Sequence, residues 1–205
     1  IALKAAVDGG RLGKIATADV IMKYYRSPEY YRQSRWRGTW AMDGGGALMN
    51  QGIHGVDTLM FVAGDVACVS AATRTLAHDI EVEDTAAAVV EFKSGALGLI
   101  QGATSTWPGY PRRLSVSGTR GTVTVCEQLI EQWDVEGDVP PTSLQVGGEQ
   151  ISGASDPSQL DESGHLMQIT DMAEAIRDRR EPAVALRDAR RAIELIEGIY
   201  RSARG

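Results

Sequence analysis

Apolar positions along the chain change period twice, from helical to alternating and back again. Ile1 to Val7 has helical spacing and is stopped by Gly9-Gly10, and Ile15 to Met22 is rich in β-formers and predicts a strand. Residues 24–40, YYRSPEYYRQSRWRGTW, interleave aromatics with arginine. They are too polar for a core strand and are expected to form a loop that lines a site. Asp43-Gly44-Gly45-Gly46 then opens a helical pattern in which Met49, Gly52, Ile53, Val56, Leu59 and Met60 share one stripe, ended by Gly64. From Ala67 to Trp133 the period falls to two, in about six short segments with hairpin-sized gaps and turn signals such as Lys93-Ser94-Gly95. That predicts a mostly antiparallel sheet. Residues 137–164, rich in Gly, Pro, Ser and Asp, are expected to be a long irregular loop. Two amphipathic stripes close the chain on either side of Pro182: Ile169, Met172, Ala173 and Ile176, then Ala192, Leu195, Ile196, Ile199 and Tyr200.

A block of strands with helices at both ends predicts one α+β domain over residues 1–205, an open, largely antiparallel mixed β-sheet with helices packed on one face. The other face must be covered by something or stand exposed. The net charge of −6 argues against a nucleic-acid surface, which needs clustered Lys and Arg. No apolar run approaches the ~20 residues of a membrane span. Two cysteines, Cys68 and Cys126, are too few for a secreted disulfide scaffold, so a reduced cytoplasmic setting is expected, with one disulfide left open. The N-terminus, IALKAAVDGG, has neither an initiator Met nor a signal-peptide layout and reads as part of a longer chain. No G-x-G-x-x-G follows a strand, so nothing here holds a pyrophosphate in the Rossmann manner.

The segment with most chemistry in it is GGGALMNQGIHGVD, Gly44 to Asp57. On a helix Asn50 and His54 share a face, and Asp57 lies near the same stripe. Glycines at the helix start allow another backbone or a ligand to approach, and free N–H groups there would favour an anionic substrate group. The plain alternative is a hydrogen-bonded structural histidine held by Asp57, and spacing alone leaves both open. Arg37, beside Trp36, could pair with a phosphate or carboxylate or simply stack on an aromatic. Tyr110 and Arg112, in TSTWPGYPRR, could line a pocket or only shape a loop. His165 could face the same cleft or cap a helix. His78 has no partner signal and is expected on the surface. Histidines 54, 78 and 165 form no metal motif.

Several blocks together resemble the Gfo/Idh/MocA oxidoreductases: GRLGKI, WRGTW, GGGALMNQGIH, EDTAAAVVEF, SGALGLIQG, SGTRGTV and HLMQITDMAEAIRDRREP. The glycine-to-histidine block is the most specific of them. The resemblance implies the C-terminal, substrate-binding and oligomerisation domain of an NAD- or NADP-dependent dehydrogenase acting on a sugar, polyol or nucleotide sugar. Its N-terminal dinucleotide-binding domain, with the Glu-Lys-Pro lysine that works beside the histidine, is not in this sequence. The resemblance makes His54 the catalytic group. Asn50, Arg37, Trp36, Tyr110, Arg112 and His165 become substrate-binding candidates, and Trp36 and Arg37 also border the cofactor. Asn50 stands where the family often has Asp, so it can orient but not relay a proton. An Asn there resembles relatives acting on nucleotide-linked amino sugars. The isolated domain is expected to be inactive and to form a homodimer or homotetramer through its open sheet face. Two other readings stay open: glycosidase chemistry with transient use of NAD, and a stand-alone oligomerisation or binding module.

Overall fold

A computed structural model describes residues 1–141 and 163–205 of the chain. Helix α1 (Ala2–Asp8) leads into strand β1 (Ile15–Lys23), which buries Ala18, Val20 and Met22 on one face and leaves Ile21 on the other. The segment expected as loop between residues 24 and 40 contains a short helix, α2 (Pro28–Arg32). Ser27 caps it, its Oγ accepting from Tyr30 N at 3.2 Å, with Pro28 in the first turn and Glu29 beside it. Five residues are too few to display a helical period, so only the Ser-Pro-Glu cap signals this helix.

The glycines at 44–46 stand ahead of the next helix, which begins as a π-helical turn over Ala47–Gly52 and continues as α3 (Ile53–Ala63). Gly64 ends α3 at φ +93°, a conformation that favours glycine. Six strands follow: β2 (Val66–Arg74), β3 (Thr85–Phe92), β4 (Leu97–Ala103), β5 (Arg113–Gly118), β6 (Gly121–Cys126) and β7 (Leu129–Val135). With β1 they form one seven-stranded sheet in the order β2-β3-β4-β1-β5-β6-β7. Among the described strands only β1 and β4 run parallel; all other neighbours are antiparallel. Two connections, residues 75–84 and 104–112, exceed hairpin size. The second does so because β1 is inserted between β4 and β5, which therefore never pair.

Helices α3 and α5 (Leu186–Arg204) cover one sheet face. Helix α5 buries Leu195, Ile196, Ile199 and Tyr200, and each large apolar side chain removed from water there contributes roughly 1.5–3 kcal/mol. Gly55 lets α3 settle onto β1, since a Cβ there would stand 2.2 Å from Met22 Sδ. Gly102 does the same for the π-helical turn, a Cβ standing 2.6 Å from Leu48 Cδ2. These contacts set the π-helical turn and the start of α3 over the carboxyl ends of the two parallel strands, where Met22 pairs with Gly102 and Lys23 with Ala103.

Helix α4 (Ser163–Asp178) departs from expectation. Its stripe does not pack on the sheet: Ile169 is 68% and Ile176 72% exposed, and Ala175 is the buried residue. Of the loop expected over residues 137–164, Ser163 and Gly164 already belong to α4, and residues 142–162 lie outside the described residues. The sheet face left uncovered by the described residues carries Val89 (52% exposed) and Leu99 (50% exposed) as direct cross-strand partners, with Leu97 and Ile21 beside them. Neither Cys68 nor Cys126 forms a disulfide. No helix among the described residues is long and apolar enough to cross a membrane.

Candidate active site

The wide turn that precedes His54 is held from behind. Gly46 N donates to Glu83 Oε2 (2.9 Å), Ala47 N to Glu83 O (2.9 Å) and Leu48 N to Glu83 Oε1 (2.9 Å). The Tyr200 hydroxyl donates to Glu83 Oε1 (2.9 Å) and accepts from Gly46 N (3.3 Å). Glu83 is only 4% exposed. Burial pushes its carboxyl pKa up, while Leu48 N and the Tyr200 hydroxyl oppose that. The helix start is therefore already occupied by an internal carboxylate, and the expected anionic substrate group has no vacancy there. Gly45 and Gly46 serve this packing. A Cβ on Gly46 would stand 1.8 Å from Glu83 O, and one on Gly45 2.4 Å from the Tyr200 hydroxyl.

His54 occupies the first turn of α3, directly after the π-helical turn. Its backbone carbonyl accepts from Thr58 Oγ1 at 2.6 Å, and its imidazole has no hydrogen-bond partner among the described residues. The residue is exposed overall, yet the protein packed about the ring pushes its pKa below the usual 6.5. The positive charges of Arg112 and His165 push the same way, and Asp57 opposes them. Asp57 interacts with the ring only through its charge, and its own carboxyl is raised by burial. The structural alternative of a ring clamped by Asp57 thus finds no hydrogen bond to rest on.

Arg112 and His165 both lie within electrostatic reach of the His54 ring. A Cβ on Gly55 would stand 3.1 Å from Arg112 Cδ, which places the arginine stem against the start of α3. Glu127 holds the arginine, accepting from its backbone N (2.7 Å) and pairing with its guanidinium (3.3 Å). Tyr110 is exposed, and its backbone N donates to Lys23 O (2.8 Å) at the carboxyl end of β1.

Asn50 does not touch His54 through any hydrogen bond among the described residues. Its amide donates to Asp43 Oδ1 (2.6 Å), and Asp43 Oδ2 accepts from Gly38 N (2.9 Å). This pair ties the π-helical turn to the loop that carries Trp36 and Arg37. Arg37 donates to Tyr30 O (3.1 Å) and lies over the rings of Tyr30 (4.2 Å) and Trp36 (5.3 Å). Gln51 Nε2 donates to the Tyr30 hydroxyl (3.2 Å), so α2 meets the same turn. Trp36 is exposed.

His78 is not on the surface. Its side chain is buried between Asp84 (Nδ1 to Oδ2, 3.0 Å) and Arg26 O (Nε2, 2.8 Å). Asp84 also accepts from the backbone of Leu76, Ala77 and His78. Burial would raise its pKa, but these bonds outweigh burial and hold it below the usual carboxylate range. Tyr31 reaches Thr104 from α2 at 2.8 Å. This cluster seats α2, and through Tyr30 and Gln51 it braces the π-helical turn. Glu83, Asp84, Asp43, Tyr30 and Gln51 are residues that spacing does not single out. The one sequence signal for the first two is a pair of acids placed immediately before an alternating strand.

An open mixed sheet with a glycine-fronted histidine helix over its parallel pair defines a known class. Residues 1–124, more than half of the chain, match the GFO/IDH/MocA C-terminal domain family, and the chain belongs to that family. It is 30% identical over 146 residues to myo-inositol 2-dehydrogenase of Thermotoga maritima, covering 66% of this chain and 41% of that protein. To D-apiose dehydrogenase of Rhizobium rhizogenes it is 26% identical over 156 residues, covering 74% and 45%. Among solved structures, the WlbA dehydrogenase of Bordetella pertussis, in complex with NADH and UDP-GlcNAcA, superposes with a TM-score of 0.83 at 33% identity. That match covers 99% of this chain and 57% of the other. The chain thus spans about half the length of the relatives it matches.

Proposed function

We propose that this chain is the substrate-binding half of an NAD(P)-dependent oxidoreductase that oxidises a secondary hydroxyl of a sugar, polyol or nucleotide sugar. The observation that carries the reading is the His54 imidazole: without a hydrogen bond among the described residues, at the mouth of the parallel strand pair, with its charged form disfavoured. Such a ring is neutral near neutral pH and accepts the hydroxyl proton as the carbinol carbon becomes a carbonyl. Bound nicotinamide, held by an N-terminal dinucleotide-binding domain, supplies the hydride acceptor. This chain fits that cofactor only along a rim. Trp36 offers an exposed indole, and Arg37 lies beside it over the Tyr30 ring. Among the described residues no dinucleotide fingerprint follows a strand, so the domain alone is expected to be inactive.

Arg112 places positive charge near the imidazole, where a phosphate or carboxylate of the substrate would sit, and His165 lies within electrostatic reach of the same ring. Asn50, its amide N–H engaged by Asp43, keeps its carbonyl oxygen for a substrate hydroxyl. Tyr110 stands at the carboxyl end of β1 as a further wall. The likeness to the dehydrogenase solved with NADH and UDP-GlcNAcA supports a nucleotide-linked sugar within the substrate class. The apolar patch of Val89, Leu97, Leu99 and Ile21 on the open sheet supports assembly as a homodimer or homotetramer through that face.

The decisive test is His54→Ala in the enzyme that joins this domain to its cofactor domain. Turnover should fall by roughly 10²–10⁴-fold with the fold intact. Unchanged turnover removes His54 from the chemistry.

A further inference from the structure

We propose that Glu83, backed by Tyr200, is a positioning residue for the reaction: it sets the π-helical turn that aims Asn50 and His54. The inference rests on the reading of His54 as proton acceptor.

A helix start leaves its first amides without partners inside the helix. Here Gly46, Ala47 and Leu48 all donate to one residue, two to its carboxylate and one to its carbonyl. The carboxylate is fixed in turn by the Tyr200 hydroxyl from α5, a residue 117 positions away. Both glycines in contact with this pair leave no room for a side chain. The position of the turn is therefore dictated from behind, by groups that never reach the substrate side.

The wide turn needs such a hold. A π-helical turn is rare and is retained where surrounding structure over-determines it. It accommodates one more residue per ring than the α-helix that follows it. Relaxing it to α-helix would move Asn50 relative to His54 by one helical position, about 100° of rotation at ~3.6 residues per turn. That would break the Asn50–Asp43 bond and pull the turn away from the loop of Trp36 and Arg37. Glu83 bonds the backbone amides of the turn, so its influence on His54 passes through the backbone.

The test is a double-mutant cycle in the holoenzyme, with kcat and KM measured per folded molecule for E83Q, H54A and E83Q/H54A, and Y200F alongside. Glutamine keeps the size of the side chain but turns an N–H toward an amide donor. We expect E83Q to lower kcat by roughly 10–100-fold with KM within about threefold, the scale of a reacting group displaced by about an ångström. Y200F, which removes only the hydroxyl that fixes Glu83, should lower kcat by a smaller factor in the same direction. In the H54A background E83Q should cause no further loss of kcat, because it acts through His54. A merely structural Glu83 would lower the melting temperature and leave kcat per folded molecule unchanged in both E83Q and Y200F; that result, or an equal E83Q loss with and without His54, overturns the proposal. Should E83Q fail to fold, Y200F alone decides. An H54A enzyme with full turnover overturns the His54 reading and this inference with it. An impaired H54A enzyme beside an unimpaired E83Q enzyme overturns this inference alone.

Discussion

Replacing Gly46 by alanine puts a methyl group where the chain already has a carbonyl. The new Cβ would stand 1.8 Å from Glu83 O and 2.8 Å from both Glu83 C and Oε2. The first two atoms are backbone, so no flexible side chain can yield to make room. Forcing a methyl into a packed site costs about 1–3 kcal/mol. The displacement also loosens the bonds from Gly46 N and Leu48 N to the buried carboxylate, and hydrogen bonds to charged groups contribute about 1.5–3 kcal/mol each. Together these predict a loss of about 3–5 kcal/mol, or a fall in Tm of roughly 6–20 °C for a chain of this size. Gly44→Ala is the internal control. Nothing lies within 4 Å of its Cβ, and only its φ of +76° penalises a side chain. Its cost should be near 1–2 kcal/mol. Thermal unfolding followed by circular dichroism compares the two variants directly. A Gly46→Ala protein as stable as Gly44→Ala would refute the claim that Glu83 fills the space against the turn.

The lowered proton affinity of His54 fixes the sign of its pH dependence. Burial and the charges of Arg112 and His165 disfavour imidazolium, so the acid limb of kcat/KM for alcohol oxidation should have its midpoint below the ordinary histidine value of 6.5. Arg112→Gln should move that midpoint upward, and a wild-type midpoint above 6.5 would contradict the assignment. On the open sheet, Val89→Lys with Leu99→Lys places two charges on the apolar patch without touching the core. Light scattering should then report a smaller assembly, and an unchanged mass would exclude that face as the interface.

What the sequence determines by itself is local. Alternation in TAAAVVEF is visible because a strand with one face on the core writes that face into every second residue, and Ala86, Ala88, Val90 and Phe92 are indeed the buried set. The α5 stripe of Leu195, Ile196 and Ile199 is visible for the same reason at helical period, as is the glycine-fronted helix that bears His54. The matching stripe of α4 shows the limit, since a period records which residues would share a face and not whether anything in the chain covers it.

Tertiary structure alone decided the rest. The insertion of β1 between β4 and β5 is a choice of partners 80 to 103 positions apart, and it leaves no mark on the alternation of any of the three strands. Histidine 78 reads as a surface residue until Asp84 and the Arg26 carbonyl close around it. Glu83 reads as one acid before a strand until the fold sets it against Gly46, 37 positions earlier, and Tyr200, 117 later. Side-chain period is set by which face a residue shows to the core, so one segment suffices to reveal it. Hydrogen bonds between buried polar groups depend on which distant segments meet, and that is settled only when the whole chain has packed.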